Sequence, residues 1–267
     1  MHNNLVLDDV TSIHMEKEIE GYYSGTSGLI LPVPNKLHYP EAFRDRSRLC
    51  YYGSLMNSIE INSSFYKIPM ATTVKKWYGE VPDGFRFTFK LFKGITHAPK
   101  LGFNPADIAN FMEVIDHAGD KKGCLLVQFP PSIRIDDFPQ LSRLMVSLRE
   151  HDPEKKWKIA FEFRHASLYV EEVMELLEEN GFGMVIHDKG AAAGPLDDTG
   201  NGFRYIRFHG PGGNYRGSYP EDVLAEYAGY IAEWLSEKKE VFVYFNNTMG
   251  NAYQNLLTLR GFVADMV

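Results

Sequence analysis

Short apolar runs of strand length recur about every thirty residues along the chain, at 22–30, 58–61, 85–91, 125–129, 159–163, 184–187, 204–208 and 241–245. They are rich in Val, Ile, Phe and Tyr, which suit a pleated, half-buried backbone. Between them the apolar residues take helical spacing. Segment 106–118 places Ile108, Phe111, Met112 and Ile115 on one face. Segment 167–180 does so with Val170, Val173, Met174 and Leu177, followed by a C-capping Gly181. Segments 220–238 and 251–264 read alike, and 40–55 and 71–78 are less regular helices before the second and third strands. Strand and helix alternate eight times, which predicts an α/β fold of TIM-like (β/α)8 barrel type. An open doubly wound sheet is the alternative, but no GxGxxG turn follows the first strand. Segment 189–201 is mostly Ala, Gly and Asp, so the sixth helix is expected to be degraded. No linker divides the chain, which reads as a single barrel domain over 21–267 with an N-terminal extension, 1–20.

Side chains alternate along a strand, so parity sorts each run into two faces. Ile59 and Ile61 oppose Ser58, Glu60 and Asn62, while Phe85, Phe87 and Phe89 oppose Arg86, Thr88 and Lys90. Val127 and Phe129 oppose Gln128, and Ile159, Phe161 and Phe163 oppose Ala160, Glu162 and Arg164. Ile206 and Phe208 oppose Tyr205, Arg207 and His209, and Val241, Val243 and Phe245 oppose Tyr244 and Asn246. Helices cover the outside of such a barrel, so the apolar set faces out and the polar set faces in. The later polar residues then lie at the C-terminal mouth, where barrel enzymes place their chemistry.

Composition narrows the classes. The chain is 44% hydrophobic and 24% charged, ordinary for a globular protein. Lys and Arg number 28 against 35 Asp and Glu, a net charge of -7 that argues against a nucleic-acid partner. Cys50 and Cys124 have no partner at CxxC spacing, which excludes a zinc ribbon or a disulfide scaffold, and both are placed away from the mouth. No apolar stretch approaches the ~18 residues of a membrane helix, and 1–20 lacks a signal-peptide core, so the expected location is cytoplasmic.

The predicted catalytic set is Glu60, Glu162, His209 and Asp188. Glu60 and Glu162 are the acid and base candidates, since neighbouring charges can separate two carboxylate pKa values. Asn62, Lys90, His97, Gln128, Arg164, Arg207, Tyr244, Asn246 and Asn247 are expected to bind substrate. His97 lies in Thr96-His97-Ala98-Pro99 after the third strand, where an imidazole could exchange protons near neutrality. The loops after the seventh and eighth strands, with Gly210, Gly212, Gly213, Thr248 and Gly250, suit an anion held by backbone N–H groups. Two other readings stand beside these. The acids and bases could neutralise one another in a buried network. Glu60, Glu162, Asp188, His187 and His209 include metal-ligand types, yet no HxH or HExxH pair occurs, and no metal or cofactor is required.

Several motifs together resemble a known family. They are Gly25-Thr26-Ser27-Gly28, Ile59-Glu60-Ile61-Asn62-Ser63-Ser64-Phe65-Tyr66, Phe87-Thr88-Phe89-Lys90 with Thr96-His97, and Gln128-Phe129-Pro130-Pro131. Phe161-Glu162-Phe163-Arg164-His165, Arg207-Phe208-His209-Gly210 and Tyr244-Phe245-Asn246-Asn247-Thr248 continue the series in order. This resembles the YecE-like family, domain of unknown function 72. The resemblance implies a TIM-like barrel and supplies no reaction. Leu29 departs from the family, which often has an aromatic residue after the first glycine-rich strand, and the extension is longer than usual.

The expected function is acid/base chemistry, hydrolytic or of isomerase/lyase type, on a small anionic substrate, phosphorylated or carboxylated, at the mouth. The alternatives are a metal-dependent nucleic-acid phosphodiesterase of endonuclease IV type, by fold analogy alone, and a non-catalytic metabolite-binding barrel. Oligomeric state is left open.

Overall fold

The computed structural model describes residues 19–189 and 202–267. Eight parallel strands follow one another around a barrel: β1 Tyr22–Thr26, β2 Ser58–Ile61, β3 Arg86–Lys90, β4 Lys122–Gln128, β5 Lys158–Glu162, β6 Gly183–His187, β7 Phe203–Phe208 and β8 Glu240–Phe245. Each pairs with its sequence neighbour from β2 to β8, and β8 pairs with β1. The last seam, between β1 and β2, carries a single bridge from Ser27 to Glu60.

Side chains complete that seam. Asn57 Oδ1 accepts from Ser24 N–H at 2.9 Å and its Nδ2 donates to the Tyr22 carbonyl at 2.8 Å. Tyr52 OH accepts from Thr26 N–H at 2.8 Å and donates to the Ser58 carbonyl at 3.1 Å. Gly25 is required because a Cβ there would lie 2.0 Å from the Ser58 carbonyl oxygen.

The helices are α1 Arg48–Gly53, α2 Ser63–Tyr66, α3 Ala71–Tyr78, α4 Lys93–Thr96, α5 Pro105–Asp116, α6 Phe138–Glu150, α7 Glu171–Glu179, α8 Glu221–Ser236 and α9 Ala252–Ala264. The expected helix at 40–55 shrinks to α1, which starts where Ser47 Oγ caps the Cys50 N–H at 3.0 Å. The expected first strand stops at Thr26; beyond it Ser27 keeps one bridge to Glu60 and Gly28 takes a φ of 88°, which ends the extended backbone. Helix α6 was not anticipated, although it buries Leu141, Leu144, Met145 and Leu148 at helical spacing. The segment expected to hold a degraded sixth helix, and most of the N-terminal extension, lie outside the described residues. Among the described residues no helix is long and apolar enough to cross a membrane.

Parity sorts the faces as the pattern implies. Ile59, Phe87, Phe89, Val127, Phe161, Ile206, Val243 and Phe245 join the helices in the main core. A second, separate cluster fills the barrel with Cys124, Leu126, Ala160, Val185, Phe203, Tyr205, Phe242 and Tyr244. Cys124 is an interior residue near the start of β4, away from the mouth, and burial pushes its thiol pKa well up. Tyr23 stacks on Phe242 at the bottom, and the charged residues lie above Tyr205 and Tyr244.

Candidate active site at the barrel mouth

Arg207, one residue from the end of β7, is almost completely buried and forms the centre of the floor. Its Nε and Nη2 donate to the two oxygens of Glu60, at 2.9 and 2.7 Å, in a bidentate pair. Its Nη1 reaches Glu162 Oε2 at 2.5 Å. Arg164, just beyond β5, pairs with the other Glu162 oxygen. Two carboxylates and two guanidiniums therefore neutralise one another. Burial pushes both carboxyl pKa values up, but Arg207, joined at Glu162 by Arg164, outweighs it, and both end below the usual range.

This charge fixes the sense of the surrounding hydrogen bonds. Ionised Glu60 only accepts, so Ser27 Oγ and Tyr205 OH both donate to it. Ser27 Oγ is then left as an acceptor, and Asn62 presents its Nδ2 to it. Asn62 Oδ1 is consequently turned away and is buried without a donor among the described residues. His209 Nε2 faces N–H groups of Arg164 at 3.0 Å and Arg207 at 3.2 Å, so it carries a lone pair. Its proton sits on Nδ1, 3.2 Å from Asp188 Oδ1. Burial lowers the His209 pKa despite the opposing carboxylate of Asp188, and the ring is neutral. Asp188 also accepts the His209 backbone N–H at 2.9 Å and the hydroxyl of Tyr219, which hold its own pKa down against burial.

Lys90, the last residue of β3, departs from this balance. Its Nζ donates to Gln128 Oε1 at 2.7 Å and lies 4.1 Å from the Phe65 ring centre. Among the described residues it has no carboxylate partner in an ion pair. Burial, then Arg207, lowers its pKa to about 8. Among the described residues Arg164 Nη1 is buried without an acceptor. A cleft of about 510 Å³ elsewhere is lined by Met112, Asp116, His117, His151, Asp152 and Trp157. Its buried Asp152 already accepts the backbone N–H groups of Lys156 and Trp157, so charge rather than volume singles out the mouth.

The chain matches the profile described as "Protein of unknown function DUF72" over residues 23–265. It belongs to the DUF72 family. The UPF0759 protein YunF of Bacillus subtilis strain 168 is 26% identical over 246 residues, covering 79% of this chain and 84% of YunF. A DUF72 family protein of Thermotoga maritima MSB8 superposes with a TM-score of 0.73 and 26% identity, over 91% of this chain and 98% of that one. One from Enterococcus faecalis V583 gives 0.75 and 23%, over 91% and 95%.

In this DUF72 barrel, Glu60, Asn62, Lys90, Gln128, Glu162, Arg164, Asp188, Arg207 and His209 come together at the mouth, and His97 joins them by packing edge-on against Phe65 at 4.9 Å. Their roles differ from several expectations. Glu60 is occupied by four donors and has no oxygen left for proton transfer. Burial, Lys90 and Lys93 lower the His97 pKa to about 4, so it is a neutral ring and a weak base. Tyr244 lies below the charged floor, its hydroxyl 2.6 Å from Ser58 Oγ and 2.7 Å from Thr88 Oγ1, although it is the penultimate residue of β8 and in register with Arg207.

Asn247 is a buried tie, donating to the Gly217 carbonyl and Asn255 Oδ1, both at 3.1 Å, whereas Asn246 is half-buried at the strand end. Three of the loop amides already have acceptors within the protein. Gly210 N–H donates to Tyr219 OH at 2.6 Å, Gly213 N–H to the Gly210 carbonyl at 2.7 Å, and Gly250 N–H to the Asn247 carbonyl at 2.8 Å. Gly210 and Gly250 are needed for loop contact, since a Cβ on either would lie 2.2 Å from a backbone oxygen. Gly212 and Thr248 are exposed.

Sequence reasoning missed Ser27, Tyr205, Phe65 and Tyr219 as parts of the site. Tyr205 shares the parity of Arg207 and could have been read, whereas Tyr219 arrives from a loop with no local signal. His187 faces His209 with ring centres 5.9 Å apart; its Nε2–H donates to the Phe163 carbonyl at 3.1 Å. Among the described residues no three His, Cys, Asp or Glu side chains gather as metal ligands. Arg207 occupies the floor carboxylates that would otherwise serve as oxygen donors.

Proposed function

We propose that this DUF72 protein is an enzyme that carries out proton-transfer chemistry on a small anionic molecule, carboxylated or phosphorylated, at the C-terminal mouth. One observation carries the reading: the floor is neutral, yet among the described residues Arg164 keeps a guanidinium nitrogen without an acceptor beside a Lys90 that has no counter-ion. Buried charge without a partner is costly, and an anionic ligand relieves that cost. In this reading Arg164 receives the anionic group and Lys90 exchanges the proton, since its pKa of about 8 suits transfer near neutral pH. Arg207 and Glu60 act by positioning, and Asp188 holds His209 as the Nδ1–H tautomer.

A thermal-shift screen with phosphate, sugar phosphates, small carboxylates and divalent metals tests this. A ligand at a hundredfold its Kd adds about 2.7 kcal/mol, equivalent to roughly 5–10 °C for a domain of this size. A shift with anions that Arg164→Gln abolishes, while the variant remains folded, is the expected result. Binding without turnover in any coupled assay would favour the non-catalytic metabolite-binding alternative. A shift with divalent metal alone, reversed by chelator, would favour the phosphodiesterase alternative.

A further inference from the structure

We propose that Lys90 is a nucleophilic amine that condenses with the carbonyl group of a small anionic aldehyde, ketone or 2-oxo acid to form an imine. The choice of an anionic substrate rests on the function proposed above; the reactivity of the amine does not.

The surroundings of Nζ disfavour the ammonium form. Its only hydrogen-bond acceptor among the described residues is the neutral amide oxygen of Gln128, and its other neighbour is the face of Phe65. Arg207 and Arg164 contribute positive charge from β7 and from the end of β5. Glu60 and Glu162 act on it from β2 and β5, but both are held by those arginines. His97, on the loop after β3, is neutral, and Lys93 adds a further cation to that loop. A lysine desolvated beside other cations is the usual setting for a nucleophilic amine. At pH 7 its free-amine fraction is roughly 300-fold that of an ordinary lysine.

In the reaction, the Nζ lone pair attacks the carbonyl carbon and the π pair moves to oxygen. A proton passes from Nζ to that oxygen. The carbinolamine then expels water, leaving an imine. One amine and one carbonyl give one imine and one water, with no oxidant or reductant consumed. Arg164 Nη1, which has no acceptor among the described residues, would receive the anionic end of the substrate.

Reductive trapping of the folded protein tests the idea. Glyoxylate and, separately, propanal are supplied with cyanoborohydride, and modified peptides are quantified by mass spectrometry. Lys36 and Lys100, both exposed, serve as internal standards. Lys90 is expected to be labelled at least about tenfold faster than either, with its pH profile half-maximal near 8. Labelling no faster than the standards by either probe overturns the proposal. Arg164→Gln separates the two ideas. If it slows glyoxylate but not propanal, the anionic substrate class stands. If it slows neither while Lys90 remains preferentially labelled, the amine stands and the anion receptor at Arg164 falls.

Discussion

Replacing Glu60 by Gln is the most direct test of the charged floor. Glu60 is wholly buried and accepts from Arg207 Nε at 2.9 Å, Arg207 Nη2 at 2.7 Å, Ser27 Oγ and Tyr205 OH. Gln keeps the shape but puts an NH2 group where one oxygen was. Whichever way it turns, that group meets a guanidinium N–H and a hydroxyl that both donate. Hydrogen bonds to charged groups contribute about 1.5–3 kcal/mol each, and two are lost. Removing one member of a buried ion pair costs about 3–5 kcal/mol by direct measurement in other proteins. The two routes agree on a loss of about 3–5 kcal/mol, or a Tm lowered by roughly 6–20 °C. Urea unfolding followed by circular dichroism reads the change as a shift in midpoint. Glu154→Gln is the control, since its pair with Lys156 at 2.9 Å is largely exposed and should change stability by less than about 0.5 kcal/mol. A loss below about 1 kcal/mol for Glu60→Gln would refute the view that this network holds the mouth together.

Three further outcomes follow from the same geometry. Glu60 and Glu162 have pKa values below the usual 4.5, so their stabilisation is complete above that pH and fades as pH falls further; acid titration of the urea midpoint reads this as a steep loss below about pH 4.5. Lys90→Met should stabilise the protein at pH 7 by about 1–3 kcal/mol, because a lysine held near 8 favours the unfolded state until pH exceeds its unfolded pKa; an unchanged or lowered urea midpoint would contradict this. Gly25→Ala should destabilise by about 1–3 kcal/mol or more, as its Cβ would press within 2.0 Å of the Ser58 carbonyl and part the β1–β2 seam, and hydrogen exchange at Thr26 would show the opening.

Much of the site can be read from parity. Glu60, Lys90, Glu162 and Arg207 fall on the inward face of strands whose other face is continuously apolar, and the structure brings them to one mouth. Parity does not report depth. Tyr244 has the same inward sense as Arg207 and is its register partner, yet it packs against Tyr205 with ring centres 5.3 Å apart, below the floor. Glycine content was equally ambiguous. Gly210 and Gly250 read as an anion cradle from sequence, whereas close packing of two loops is what requires them.

The chain's own pattern determined the eightfold alternation, the inward and outward faces and the identity of the charged residues, because period and parity are local properties of a backbone. Only the tertiary structure decided how those charges divide. Arg207 joins Glu60 to Glu162 across partners 147 and 45 residues away in sequence, and that pairing turns both supposed acid/base carboxylates into part of a neutral floor. Among the described residues, the same pairing leaves Lys90 without a carboxylate partner and Arg164 Nη1 without an acceptor at the mouth. Distance in space sets electrostatics, and distance along the chain does not reveal it.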